Sequence, residues 1–172
     1  SDETKDKFAS ILASWIQSGE PSIYQKGLTY FGSIYSQLSS TIQDNVMGVI
    51  LQRTSTMINA DPNVRTFLNF LIQNYNFFSN TYKQKTFDFL KDQLNVTNSQ
   101  HAQSIALEYI PKLELGKRAS EILKSILDFA KNTSDGNMIN ICKNALKQLN
   151  SYGSKEFWKE VKTILGDDVY KE

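Results

Sequence analysis

The chain has 172 residues, 40% apolar and 22% charged, and its 19 basic and 18 acidic side chains leave a net charge of +1. This length predicts one domain over residues 1–172, complete or a fragment of a larger protein, and the near-neutral charge argues against bulk attraction to duplex DNA. A single cysteine and a single histidine exclude a disulfide framework and a metal site with two histidines, and no apolar run is long enough to span a membrane.

Apolar residues recur every three or four positions along almost the whole chain, as they do on one face of an α-helix. No stretch alternates apolar and polar residues for long, so we predict an all-α fold. In chain order, nine helices are predicted, over residues 3–17, 21–37, 41–58, 62–75, 81–94, 98–110, 116–131, 136–150 and 154–165. The connections are short, which predicts antiparallel helical hairpins.

Several helix starts carry residue types that cap free backbone N–H groups. Asp61 precedes Pro62, which predicts an N-cap followed by a proline in the first helical position. The S/T-x-x-Q pattern of a capping box occurs three times, in Ser40–Gln43, Thr81–Gln84 and Thr97–Gln100.

A repeat of about 40 residues is the main pattern in the chain. The first apolar residues of the second helices, Ile23, Val64, Ala102 and Met138, lie 41, 38 and 36 residues apart. After three of them, positions +3, +4, +7 and +8 are also apolar or aromatic, with alanines and a cysteine among them. This period predicts a right-handed α-solenoid of about four antiparallel hairpins plus a C-terminal helix.

Residues 61–65, Asp-Pro-Asn-Val-Arg, resemble the opening of the second helix in HEAT repeats, a family related in architecture to armadillo repeats. The other three second helices lack this motif. The resemblance implies an Asp–Arg ladder between neighbouring repeats, a buried Val64 and a concave surface lined by second helices. It also implies a non-catalytic scaffold that binds other macromolecules, usually proteins.

The second helices carry a set of polar residues at comparable places, Gln25, Asn69 and Gln103. A neutral groove rich in carboxamides suits a peptide, because each carboxamide can donate to and accept from its backbone. Arg65 lies near this set and is either a ligand contact or a structural partner of Asp61. Tyr24 falls outside the core pattern and is expected to be exposed, whereas Tyr30 fits the pattern.

The segment from Tyr75 to Tyr82 is unusually aromatic for a connection between helices, because it also contains Phe77 and Phe78. Two interpretations stay open. The rings fill the junction between repeats, or part of the run, such as Phe77 and Phe78, is an exposed anchor for a partner protein.

Nucleic-acid binding, with RNA as the ligand, is the alternative function. Residues 112–172 hold 11 basic and 9 acidic side chains, and Lys143 and Lys147 share one helix face. The basic residues continue with Lys155, Lys159 and Lys162. This tendency is weak for a nucleic-acid surface, so a protein or peptide is the favoured partner.

No catalytic residue, metal or cofactor is predicted. Cys142 occupies a core position of its helix, where a thiol is buried and inert, so a reaction with His101 as its base is not expected. A lone buried cysteine and the absence of a signal-peptide pattern in Ser1–Thr4 predict an intracellular protein of the cytoplasm or nucleus.

Overall fold

A computed structural model describes residues 2–170 of the chain. All nine predicted helices are confirmed, and no strand occurs in these residues. The helices are α1 (Asp2–Ile16), α2 (Pro21–Ile34), α3 (Ser40–Met57), α4 (Val64–Asn74), α5 (Asn80–Asp92), α6 (Gln100–Tyr109), α7 (Ala119–Asn132), α8 (Gly136–Gln148) and α9 (Lys155–Leu165). None of them, within this described range, combines the length and the apolar character needed to cross a bilayer.

Three of the second helices end in the same way, with one turn of 3₁₀ helix after α2, α4 and α6. The apolar residue after each turn donates its backbone N–H to the carbonyl of the first 3₁₀ residue, at 3.1–3.2 Å. These closing residues, which are all buried, are Leu38, Phe78 and Leu113. The recurring turn therefore ends the helix and directs an apolar side chain inward.

The three predicted capping boxes are wrong. The capping atoms belong instead to Ser39, Ser79 and Ser99, whose hydroxyls accept from the backbone N–H three residues later. Gln43 is thereby freed from a capping role, and its amide donates to the carbonyl of Tyr35 at 2.6 Å. The helices begin earlier or later than the pattern indicates because several adjacent Ser, Thr and Asn residues compete for each cap.

The start of α4 also differs from the prediction. The Asp61 carboxylate accepts from the backbone N–H of Asn63 at 2.8 Å, which closes a turn over Pro62. The helix consequently begins at Val64, two residues later than predicted. Val64 is fully buried, as the HEAT-like motif implies.

The chain divides into two compact units, Ser1–Thr86 and Phe87–Glu172. In the first unit α1 packs against α2 and α3, and α4 packs against the same two helices. The first helices of the two hairpins are therefore neighbours, and so are the second helices. The largest fully buried side chains of this unit are Tyr24, Phe31, Phe67, Leu12, Ile16, Met47, Ile50, Ile58, Leu68 and Leu71.

Aromatic rings connect the two hairpins of the first unit. Phe31 of α2 contacts Tyr35 and Phe70, with ring centroids 5.4 and 5.9 Å apart. Phe78 contacts Tyr35 at 5.9 Å and Tyr75 at 6.3 Å. The 3₁₀ turns after α2 and α4 are thus joined by ring packing, which explains why apolar residues occupy these connections.

In the second unit α8 packs against α6 and α7. Helix α9 is tied to α7 by an ion pair between Lys131 and Glu160, whose charged atoms lie 2.8 Å apart. Gly153, just before α9, has a φ of 91°, and a Cβ there would lie 2.8 Å from Nε1 of Trp158. Glycine at this position lets the Trp158 indole reach the carbonyl of Tyr152, to which it donates at 2.7 Å.

Candidate binding groove

A groove with a volume of about 510 Å³ runs between the exposed faces of α2 and α4 in the first unit. Helix α2 contributes residues at positions i, i+3, i+4 and i+7, and α4 contributes a matching stripe, so each helix presents a single face. The lining residues are Gln25, Leu28, Thr29, Gly32, Thr66, Asn69, Phe70, Gln73 and Asn74.

The groove has an apolar floor and a neutral polar rim. Leu28 and Phe70 are buried and form the floor, while Gln25, Thr29 and Gln73 are exposed. No ionisable side chain is among the lining residues in the described part of the chain. The rim amides and hydroxyls can both donate and accept hydrogen bonds, which is the set of groups that a peptide backbone needs.

Gly32 keeps the groove open at the point where α2 comes closest to Phe70. A Cβ at this position would lie 3.3 Å from the ring carbon Cε2 of Phe70. Asn74 is held on the opposite wall, because its side-chain amide donates to the carbonyl of Phe70 at 2.9 Å. Any larger side chain at position 32 would therefore either displace the Phe70 ring or occupy the groove.

Two of the three carboxamides that the sequence singles out line this groove together, Gln25 and Asn69. Gln73 lies one helical turn beyond Asn69 on the same face of α4, and its i+4 spacing could have revealed it. Arg65 is exposed in the first turn of α4 and is not among the lining residues.

Gln103 does not have the exposed position that we expected. It is only 4% exposed and lies in the second unit. Its side-chain amide donates to the carbonyls of Asn95 and Asn98, at 2.8 and 3.0 Å. The amide therefore holds the turn before α6, because a buried carboxamide requires partners and the carbonyls of this turn supply them.

The expected exposures of two tyrosines on α2 are reversed. Tyr24 is 1% exposed and its ring packs on Phe67, with centroids 5.2 Å apart, whereas Tyr30 is 50% exposed. Burial raises the pKa of Tyr24, the nearby Asp61 carboxylate raises it further, and Arg53 lowers it. The face of α2 that meets α4 carries Tyr24, which is why the tyrosine outside the simple core period is the buried one.

The aromatic run divides between core and surface. Tyr75, Phe78 and Tyr82 are buried, as the junction-filling interpretation requires. Phe77 is 72% exposed, at a place where the other two 3₁₀ turns have Gln37 and Lys112. Phe77 is thus the part of the run that a partner could reach.

Beyond the groove, α1 exposes three large apolar side chains, Phe8, Ile11 and Trp15. In the sequence these three residues recur with Leu12 and Ile16 at spacings of three and four, but of the five only Leu12 and Ile16 are buried. Trp15 lies beside Tyr30 of α2, with ring centroids 6.1 Å apart.

In the second unit, Lys143 lies 3.7 Å from the carboxylate of Asp168, and Lys147 is exposed.

Cys142 is fully buried, and desolvation raises the pKa of its thiol to about 12. A thiol with this pKa carries almost no nucleophilic thiolate at neutral pH.

No family model matches the chain, and no curated protein or solved structure is significantly similar to it. The HEAT-like resemblance therefore depends on the residues of the motif and on the period alone.

Proposed function

We propose that the protein is a non-catalytic helical-repeat scaffold of the HEAT-like α-solenoid type, which binds an extended, uncharged segment of a partner protein in the groove between α2 and α4. One observation carries this proposal: Gln25 and Asn69, selected from sequence as peptide-binding carboxamides, line one uncharged groove.

The helical-repeat part of the proposal is supported by the packing of the first unit. Contacts of α1 with α3 and of α2 with α4 join equivalent helices of successive hairpins, as stacking of repeats requires. The recurring 3₁₀ turn with its buried closing residue adds a structural repeat to the repeat in sequence. A surface formed by second helices is the expected binding surface of such an array.

The chemistry of the groove supports the type of ligand. Its volume lies within the range of about 300–1,000 Å³ that is typical of specific binding pockets. Gln25 and Gln73 both line the groove, whose floor is formed by Leu28 and Phe70. Carboxamides can pair with the N–H and C=O groups of an extended chain, and the apolar floor favours a small uncharged side chain between them.

The test is selection of peptides from a random display library on the wild-type protein. Enriched peptides are then titrated against a double variant, Gln25→Arg with Gln73→Arg, which places two charges in the groove. We expect binding to fall by at least about tenfold, because unpaired guanidinium groups would project where the peptide must lie.

The matched control carries the same charge change elsewhere in the first unit, at the exposed positions of Gln37→Arg with Gln52→Arg. It should bind the selected peptides as the wild type does, and circular dichroism should show equal helicity for both doubles. Peptides that bind both doubles equally well, or the absence of any enriched peptide, would contradict the proposal.

A further inference from the structure

A second cavity, in the second unit, runs along one side of α9. Its volume is about 360 Å³, and its lining residues are Lys155, Trp158, Lys159, Lys162 and Tyr170. Three of these five residues are lysines and none is acidic. Ammonium groups grouped around a concave surface create a local positive potential that a near-neutral chain does not otherwise suggest.

The two signs of charge are separated around the axis of α9. Lys155, Lys159 and Lys162 are four and three residues apart, so at about 100° per residue they fall within a sector of about 60°. Glu156 and Glu160 lie about 90° and about 130° away from the centre of that sector. Lysines at such spacings repel each other and destabilise a helix slightly. This grouping of lysines without carboxylates therefore costs α9 some stability.

Two nearby carboxylates pair with lysines of other helices. Glu160 binds Lys131 of α7 at 2.8 Å, and Asp168 lies 3.7 Å from Lys143 of α8. Among the ion pairs of residues 2–170, none involves the three lysines that line the cavity. The lysines of α9 therefore have no ion-pair partner among these residues, while Glu160 links the helix to α7.

The cavity also has a fixed aromatic wall. The ring of Tyr170 stacks on Trp158, with centroids 4.8 Å apart and planes 12° from parallel. The Trp158 indole is held in turn by its hydrogen bond to the carbonyl of Tyr152. A wall with one fixed orientation reduces the ordering cost of binding, and the Tyr170 hydroxyl adds a neutral hydrogen-bonding group.

We propose that this lysine face binds a compact anion that carries two or more contiguous phosphate groups. Lysine is a common point-charge ligand of phosphate. The backbone positions of Lys155 and Lys162 are about 10 Å apart along the helix, a span that suits several phosphates in a row better than one. The small volume of about 360 Å³ favours a compact ligand over a nucleic-acid strand, which needs a continuous basic groove.

This site is independent of the α2–α4 groove, and it goes beyond the proposed function. Its test is calorimetric titration of the full chain with inorganic tripolyphosphate, with orthophosphate as the single-phosphate comparison. We expect saturable binding of tripolyphosphate, much weaker binding of orthophosphate and a rise in Tm on saturation.

The variant is Lys159→Gln, which removes the central ammonium group. Tripolyphosphate binding should weaken by about tenfold, the effect of losing one charge-assisted hydrogen bond. Without ligand, the Tm of this variant should equal or exceed that of the wild type, because repulsion along α9 is reduced. The matched control is Lys147→Gln on α8, an exposed lysine outside the cavity, which should leave binding unchanged.

Three further outcomes decide against the proposal. Equal weakening by Lys147→Gln would show general attraction to the basic C-terminal region. Binding of a ten-nucleotide uridine RNA without binding of tripolyphosphate would assign the lysines to a strand-binding surface. Absence of binding by both probes would overturn the site altogether.

Discussion

At the scale of single residues, the burial of Cys142 makes the free energy of unfolding depend on pH. Its thiol is fully buried and has a pKa of about 12, well above the value of an exposed thiol. The native state therefore keeps this proton at a pH where the unfolded chain loses it. The resulting stabilisation is fully present below pH 9 and is lost as pH rises toward 12.

We expect the free energy of unfolding of the wild type to fall more steeply between pH 8 and pH 10 than that of Cys142→Ala. Urea titrations at several pH values measure both slopes. Tyr24 and Tyr35, whose pKa values are also raised by burial, contribute equally to both proteins. Parallel slopes would contradict the prediction, and labelling of the native wild type by a thiol reagent at pH 8 would show that the thiol is accessible.

Burial of individual residues was predictable where the helical period was unambiguous. Val64 and Cys142 are buried as the period predicts. The exposures of Tyr24 and Tyr30 are the reverse of the prediction. Helix α2 contacts both α1 and α4, and two contact faces leave no single apolar stripe. The exposure of Gln103 was predicted from its place in the repeat alone. The spacing of residues does not reveal that its amide has hydrogen-bond acceptors in the turn before α6.

At the scale of helices and turns, the connection before α9 depends on Gly153. Its φ of 91° is disfavoured for other residues, and a Cβ would meet the Trp158 indole at 2.8 Å. We expect Gly153→Ala to destabilise the protein by about 1–3 kcal/mol. The measurement is urea unfolding followed by circular dichroism.

The matched control for this substitution is Gly136→Ala at the start of α8, where a Cβ meets no atom within 4 Å and φ is not positive. It should leave stability unchanged or raise it slightly, because alanine restricts the unfolded chain. Equal effects of the two substitutions would show that neither the backbone conformation nor the indole contact matters.

Helix existence was easier to predict than helix ends. Long apolar periods identify all nine helices, since a period of three to four residues continues over many turns. The ends depend on single hydrogen bonds, and neighbouring residues such as Ser39 and Ser40 are chemically equal candidates for a cap. Chemically equal candidates also occur in the groove. Asn69 and Gln73 lie four residues apart on one face of α4, and both line it.

At the scale of the whole molecule, each compact unit contains one tryptophan. Trp15 of the first unit is 36% exposed, and Trp158 of the second is 3% exposed. The single-tryptophan variants Trp158→Phe and Trp15→Phe therefore report on one unit each. We expect acrylamide to quench Trp15 strongly and Trp158 weakly in the native protein, because quenching requires access to the indole.

The same two variants test whether the chain unfolds as the single domain that its length predicts. Helix α5 (Asn80–Asp92) runs without a break through the division between Thr86 and Phe87. Unfolding of either unit removes the turns that α5 contributes to it, and helix formation is cooperative along a continuous segment. We therefore expect the two tryptophans to report one common urea midpoint, after correction for the stability of each variant by circular dichroism. Two separate midpoints would show that the units unfold independently and that α5 is broken in a stable intermediate.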